Sequence, residues 1–174
     1  MDALTVVLEP IAIPSLLRLP EKRLTLTVRQ KFIDLPLLTP VQGEVVVTHQ
    51  GTCLHVEAQV NAIVTLTCRR CLCQFNQRLP LAVEEIIWLD AVKSDPNAWP
   101  LEQEVPLTDL MEYLPPDGWF DAGQWLYEQI SLALPTNPLC RPDCQVDWPG
   151  GEIEQEGETI DPRWAALAAL NWPE

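Results

Sequence analysis

Between residues 54 and 67, apolar and polar side chains alternate almost without a break. Leu54, Val56, Ala58, Val60, Ala62, Val64 and Leu66 are apolar, His55, Glu57, Gln59, Asn61, Thr65 and Thr67 between them are polar, and only Ile63 departs from the rule. A period of two marks a strand with one dry and one wet face, because successive side chains leave an extended backbone on opposite sides. A looser alternation resumes at Phe75, Gln77, Leu79, Leu81 and Val83, so the two segments predict a β-hairpin whose tip is "LTCRRCLCQF", residues 66–75. Upstream, "RLTLTV" sets Leu24, Leu26 and Val28 between threonines, and "GEVVVTHQGTC" predicts another strand that turns at Gln50-Gly51. Residues 20–89 therefore read as an antiparallel sheet with one side wet.

The rhythm changes after residue 89. "DAVKSDPNAWPLEQEVP", residues 90–106, is polar, acidic and proline-bearing and predicts a loop, part of an acidic region over 90–120. "LTDLMEYLPP" (107–116) is expected to hold a short helix. "DAGQWLYEQISLALP" predicts a stronger one, capped by Asp121, stopped by Pro135, and carrying Trp125, Leu126, Ile130, Ala133 and Leu134 on adjoining faces. "GGEIEQEGET" reads as a charged connection. "IDPRWAALAAL" predicts a last helix with Asp161 as cap, Pro162 in the first turn, and Trp164, Leu167 and Leu170 as its apolar stripe. The expected fold is one α+β domain over residues 1–174, a mainly antiparallel sheet followed by a helical segment, 121–174, with two or three helices. All seven tryptophans stand at or after position 88, where they are expected to anchor irregular segments onto the sheet.

Charge narrows the possible partners. The net charge is −14. Residues 1–83 hold eight basic and six acidic side chains, 84–130 hold one and eleven, and 131–174 hold two and eight. Nucleic-acid binders present a basic face, so only the N-terminal part suits phosphate. The acidic remainder serves either as solvated surface or as a face that recruits a basic partner. No apolar run reaches the ~20 residues that span a bilayer, and "MDALTVVLEP" lacks the basic start of a signal peptide. A cytoplasmic protein without a membrane partner is expected, and its six cysteines are then expected to be reduced and available for metal, redox or core roles.

Four of those cysteines form two close pairs. Cys68 and Cys71 are C-x2-C at the predicted hairpin tip, and Cys140 and Cys144 are C-x3-C in "NPLCRPDC". Zinc takes four such ligands in a tetrahedron, and each local pair brings two of them at low entropic cost. Arg69, Arg70 and Arg141 sit within the pairs, where their charge is expected to favour thiolate, and Pro138 and Pro142 stiffen the second pair. Cys53 reads as a small hydrophobe in the sheet. Cys73 could replace Cys71 as a ligand, but strand neighbours point to opposite faces, so only one of Leu72 and Cys73 can share the side that Cys71 uses. Competing uses of the pairs are a four-cysteine iron site, a C-x-x-C redox centre, or unligated burial. Redox centres of that kind open a helix after a parallel strand, which this context does not predict.

Catalytic signatures are sparse. The chain has two histidines, His49 and His55, both flanking a predicted turn, and no G-x-S-x-G, G-x-x-x-x-G-K, G-x-G-x-x-G or H-E-x-x-H. The acidic runs, Glu84-Glu85 among them, fall where solvated surface is expected. A zinc ion with four thiolates keeps no open position for a substrate, so the expected site is structural and no small-molecule substrate is expected.

"LTCRRCLCQF", "LPTNPLCRPDC" and "DPRWAALAAL", in that order and spacing, resemble the YceD family, described as large ribosomal RNA subunit accumulation proteins. Cys68, Arg70, Cys71 and Leu72 match its first motif, Pro138, Leu139, Cys140 and Cys144 its second, and Asp161, Pro162, Arg163 and Trp164 its third. Many members carry a further cysteine pair and a glycine-rich stretch after the second motif, whereas "QVDWPGGEIEQEGET" holds no cysteine, which leaves room for one four-cysteine site. The resemblance implies a non-catalytic role in accumulation or processing of large-subunit ribosomal RNA, with a ribosomal protein, a pre-ribosomal particle or the RNA itself as partner. Arg69, Arg70 and Arg78 at the tip, with Arg29 and Lys31 on a neighbouring strand, are candidates to touch RNA phosphates. An acidic face holding a basic ribosomal protein is the favoured alternative to that contact. The competing class is an enzyme, either a ribonuclease or a C-x-x-C thiol oxidoreductase.

Overall fold

A computed structural model describes residues 7–94 and 111–145. The alternating segments form a sheet in the order β2-β3-β4-β5-β6, with β2 at Arg23–Gln30, β3 at Val41–His49, β4 at Cys53–Thr67, β5 at Gln74–Leu89 and β6 at Tyr113–Leu114. The first four strands pair antiparallel, and β6 runs parallel to the end of β5. β3 turns into β4 through Gly51, which takes φ of 98° and donates its N–H to His49 Nδ1 at 3.0 Å.

The period-two pattern decides the faces. All seven apolar residues at even positions in β4 are buried, none more than 9% exposed, while Ile63 lies on the wet side and is half-buried. Over the dry side lie α1 (Ile13–Leu16) and α2 (Ala122–Ala133), whose Ile13, Leu16, Trp125, Leu126 and Ile130 join Val45, Val47, Leu54, Val56 and Ile87 in one core. A two-stranded ribbon, β1 (Ile11–Ala12) with β7 (Trp119–Phe120), fastens the first segment beside α2. At Gly43 the strands β3 and β4 come so close that a Cβ would stand 2.1 Å from the Gln59 carbonyl oxygen. Its φ of 149° also suits glycine alone.

β4 outlasts β3, and the chain between β2 and β3 completes its pairing. Leu38 N–H donates to the Ile63 carbonyl at 2.8 Å and Thr65 N–H to the Pro36 carbonyl at 2.8 Å. The far half of the hairpin is thereby stiffened on the way to its tip.

The described residues make a sheet-rich α+β fold. Of the expected C-terminal helices, α2 forms as its signals indicate: Asp121 accepts from the Gln124 N–H at 2.9 Å, and the helix ends before Pro135. Of the short helix expected in 107–116, residues 107–110 lie outside the described residues, and the described part is a correction, because Tyr113 and Leu114 are strand. Pro115 disfavours helical backbone at the residue before it, and the free end of β5 offers pairing instead, with Trp88 N–H donating to the Glu112 carbonyl and Asp90 N–H to that of Leu114. The last helix, over 161–170, lies outside the described residues. No helix among the described residues is long and apolar enough to cross a membrane.

Candidate metal centre

The hairpin tip is shaped by two backbone hydrogen bonds. Cys68 N–H donates to the Cys73 carbonyl at 2.9 Å, and Leu72 N–H donates to the Cys68 carbonyl at 3.0 Å. The second bond closes a single helical turn, which Leu72 ends by taking φ of 59°. That left-handed conformation costs a non-glycine residue about 1–2 kcal/mol. Cys68 and Cys71, three apart on the turn, face one way. Leu72 is 74% exposed, and Cys73 falls on the side of Cys71, with 3.1 Å between their Sγ atoms.

The second pair arrives on the chain that leaves α2. Three polar contacts dock this tail on the tip. Arg69 N–H donates to the Pro138 carbonyl at 2.9 Å, the Arg69 guanidinium donates to Asn137 Oδ1, and Arg70 Nη1 donates to the Cys144 carbonyl at 2.8 Å. Cys144 N–H donates to the Arg141 carbonyl at 3.1 Å and closes the C-x3-C turn.

The two pairs therefore meet across 69 to 76 positions of chain. Cys68 and Cys144 Sγ stand 3.7 Å apart, as do Cys71 and Cys140 Sγ, and all four sulfurs lie within 4.8 Å of one another. Four thiolates at about 2.3 Å from one ion form a tetrahedron with edges of about 3.8 Å. The cluster fits a single ion with slight contraction. It is too tight for a multi-iron cluster, whose cysteine sulfurs sit on different iron atoms. An all-sulfur tetrahedral set suits zinc or one iron. Cys68 and Cys144 are 0% and 1% exposed, Cys140 is half-buried and Cys71 is exposed, so any ion here is screened on one side and reachable on the other.

The thiols are electrostatically unequal. Backbone N–H groups, those of Cys71 and Cys140 first, lower the Cys68 pKa to about 5. Cys71 is lowered chiefly by its hydrogen bond with the Cys73 thiol, which is itself pushed up to about 12 by the same contact. Burial, with the neighbouring sulfurs, pushes Cys144 up to about 12. Some sulfurs shed their protons readily while others retain them, and a divalent cation would take the place of those shared protons, so metal uptake here releases protons. Among the arginines expected to favour thiolate, Arg70 contributes through its backbone N–H to Cys68, and its side chain donates to the tail.

Of the residues singled out as partner contacts, Arg69 and Arg70 are exposed yet engaged with the tail as above. Arg78 is exposed on the wet face opposite Ile63, beside Asn61, Thr39 and Pro80. Arg29 is not on a strand neighbouring the tip hairpin: it lies in the edge strand β2, which β3 separates from β4, and Lys31 follows in the loop. Cys53 is buried where β4 begins. Of Leu72 and Cys73, it is Cys73 that shares the side of Cys71, as parity allows; its sulfur stands beside that of Cys71 and outside the group of four, which keeps Cys71. The Asn137 and Pro138 contacts left no sequence signal.

The YceD family profile, described as "Large ribosomal RNA subunit accumulation protein YceD", matches residues 56–171, a span that takes in both cysteine pairs. The chain belongs to the YceD family. It is also similar to uncharacterized proteins of Mycobacterium bovis and of two Mycobacterium tuberculosis strains, each 29% identical over 150 residues that cover 75% of this chain and 68% of the relative. No solved structure matches it.

Proposed function

We propose that this protein is a non-catalytic cytoplasmic factor of large ribosomal subunit biogenesis, supporting accumulation or processing of large-subunit ribosomal RNA, with one structural zinc ion held by Cys68, Cys71, Cys140 and Cys144. The observation that carries the reading is the gathering of these four sulfurs within 4.8 Å of one another, inside the span that matches a family described by large-subunit RNA accumulation. When bound, zinc supplies a cross-link and no reaction centre, because four thiolates leave it no open position. Cys68 and Cys71 hold it to the sheet, Cys140 and Cys144 bring in the tail, and Arg69 and Arg70 set the approach of the two.

The partner in this reading is a basic protein of the large subunit. Glu57 and Glu84 stand side by side on the wet face, with Glu44 one row away; His55, at 2.6 Å from Glu84, is a neutralising partner for this pair, while Arg69 and Arg70 are committed to the tail. Depletion of the protein is expected to lower the ratio of large- to small-subunit ribosomal RNA, with wild type restoring it and Cys68→Ser/Cys144→Ser failing to do so. The bound partner is expected to survive nuclease treatment and to be lost in Glu57→Lys/Glu84→Lys. Loss on nuclease treatment, or in Arg78→Glu alone, would move the reading to direct RNA contact. Magnesium-dependent RNA cleavage, or disulfide turnover, by the purified protein would replace it with an enzyme.

A further inference from the structure

We propose that Cys71 and Cys73 form a peroxide-reactive dithiol within the clip, and that its oxidation to a disulfide opens the metal centre. The disulfide itself follows from the geometry of the tip; the release of an ion rests on the metal reading above.

Accessibility separates the five sulfurs at this end of the sheet. Cys71 and Cys73 are exposed, Cys140 is half-buried, and Cys68 and Cys144 are buried. An oxidant arriving from solvent meets the first two. Their Sγ atoms stand 3.1 Å apart, against 3.7 Å for Cys68 with Cys144 and for Cys71 with Cys140. A disulfide holds its sulfurs about 2.05 Å apart, so this couple needs the smallest closure, on an exposed turn. Joining Cys71 to Cys140 instead must draw the tip and the tail together. The left-handed backbone at Leu72 turns the intervening side chain away, which leaves the two sulfurs face to face.

The chemistry balances with hydrogen peroxide as the oxidant. The Cys71 thiolate attacks one peroxide oxygen, the O–O bond breaks, and the departing hydroxide takes a proton to become water. Cys71 is then a sulfenic acid. The Cys73 sulfur attacks the Cys71 sulfur, the S–S bond forms, the S–O bond breaks, and the hydroxide leaves as water with the proton of the Cys73 thiol. The two sulfurs have lost two electrons and the peroxide has become two waters. Cys71 no longer offers a thiolate, so an ion on the clip keeps three ligands and is released more readily. A dithiol reductant reverses the change.

Trypsin makes the test direct. It cleaves after Arg70 and Arg78, so residues 71–78, "CLCQFNQR", carry Cys71 and Cys73 and no other cysteine. Purified zinc-loaded protein is treated with one equivalent of hydrogen peroxide, followed by peptide mass analysis and a chromophoric zinc chelator. The wild-type 71–78 peptide is expected to become lighter by two hydrogens, with zinc lost in step and rebound after dithiothreitol. In Cys73→Ser, which keeps all four proposed ligands, a second and third equivalent of peroxide are expected to carry the unresolved Cys71 sulfenic acid on to sulfinic acid, so that zinc loss becomes irreversible. Cross-links to peptides holding Cys68, Cys140 or Cys144 as the main product, or full zinc recovery by Cys73→Ser, would overturn the proposal. If the purified protein binds no zinc, the metal reading fails, and the mass of the 71–78 peptide still decides the dithiol on its own. If Cys73→Ser does not fold, the wild-type peptide mass gives the same decision.

Discussion

The sheet and the cysteine clip are continuous through one hairpin, yet different forces hold them. In the sheet, seven alternate side chains of β4 join the core that α1 and α2 help to cover, with none more than 9% exposed, and burial of apolar surface is the driving term. In the clip, Cys68 and Cys144 alone are buried within the tip and the tail, and a few hydrogen bonds hold the two together. Four sulfurs close enough to share a cation stand where a core would otherwise be. The difference teaches a division of labour: hydrophobic burial makes the fold, and the cluster fixes where the tail ends up. Losses in the sheet should therefore be global and losses in the clip local.

The sharpest break of the sheet is Gly43→Ala. The added methyl would overlap the Gln59 carbonyl oxygen at 2.1 Å, a backbone atom that cannot step aside. A loss of about 3 kcal/mol or more is expected, seen as a lowered urea midpoint or as failure to fold. Leu54→Ala comes next. Leu54 is fully buried, and the cavity is expected to cost about 2–5 kcal/mol, again across the whole unfolding transition.

Breaking the other side should look different. Chelation of the metal, or Cys144→Ser, is expected to abolish metal binding while the main transition stays within about 1–2 kcal/mol of wild type, because the protein's own core does not include the clip. Hydrogen exchange is the discriminating measurement. Protection should fall at residues 68–73 and 134–145 and persist in β3 and β4. Loss of protection throughout the sheet on chelation would show that the metal holds the core as well. Acid should mimic chelation, since the sulfurs must give up their protons to hold a cation.

The two regions also differ in how far the sequence alone revealed them. β3, β4 and β5 were legible because a period of two is written residue by residue, and α2 because Asp121 and Pro135 mark its ends. β6 was not legible. Tyr113 and Leu114 carry no strand signal of their own and become strand by meeting the free end of β5. Nor did the first segment announce β1 and α1, whose order depends on Trp119–Phe120 and on β3. At the clip, cysteine spacing named the four sulfurs that gather, because local pairing is a property of adjacent residues. The meeting of the pairs depends on where α2 points its tail, and the Arg69 and Arg70 contacts that complete it join residues 68 and 74 positions apart.

A finer probe of the clip is Leu72. Its left-handed backbone is tolerable for leucine and worse for a β-branched side chain. Leu72→Val is expected to weaken metal binding by roughly fivefold to tenfold, about 1 kcal/mol, with the unfolding transition of the sheet unmoved. Leu72→Gly relieves the strain but loosens the unfolded chain, so its affinity should stay near wild type or rise slightly. Equal losses in both variants would mean that the leucine side chain matters more than the backbone.

The smallest effect sits back on the sheet, where an acidic group is held at some electrostatic cost. Glu85 faces α2 and accepts from Trp125 Nε1 at 2.6 Å and Gln129 Nε2 at 2.9 Å, which keeps a carboxylate close to Glu112. Partial burial first, then Glu85 and Glu128, raise the Glu112 pKa above its ordinary 4.5. Much of the Glu112 residue is exposed, so solvent damps the effect. The folded state thus holds this proton more tightly than the unfolded chain does. Its contribution to stability is complete below pH 4.5 and fades as pH rises through the higher folded value. Glu112→Gln cannot ionise, so it is expected to be slightly more stable than wild type at pH 7, with the difference closing in acid. Urea midpoints at both pH values read this directly. A constant difference would show that the three carboxylates do not feel one another, and that the glutamine acts through packing alone.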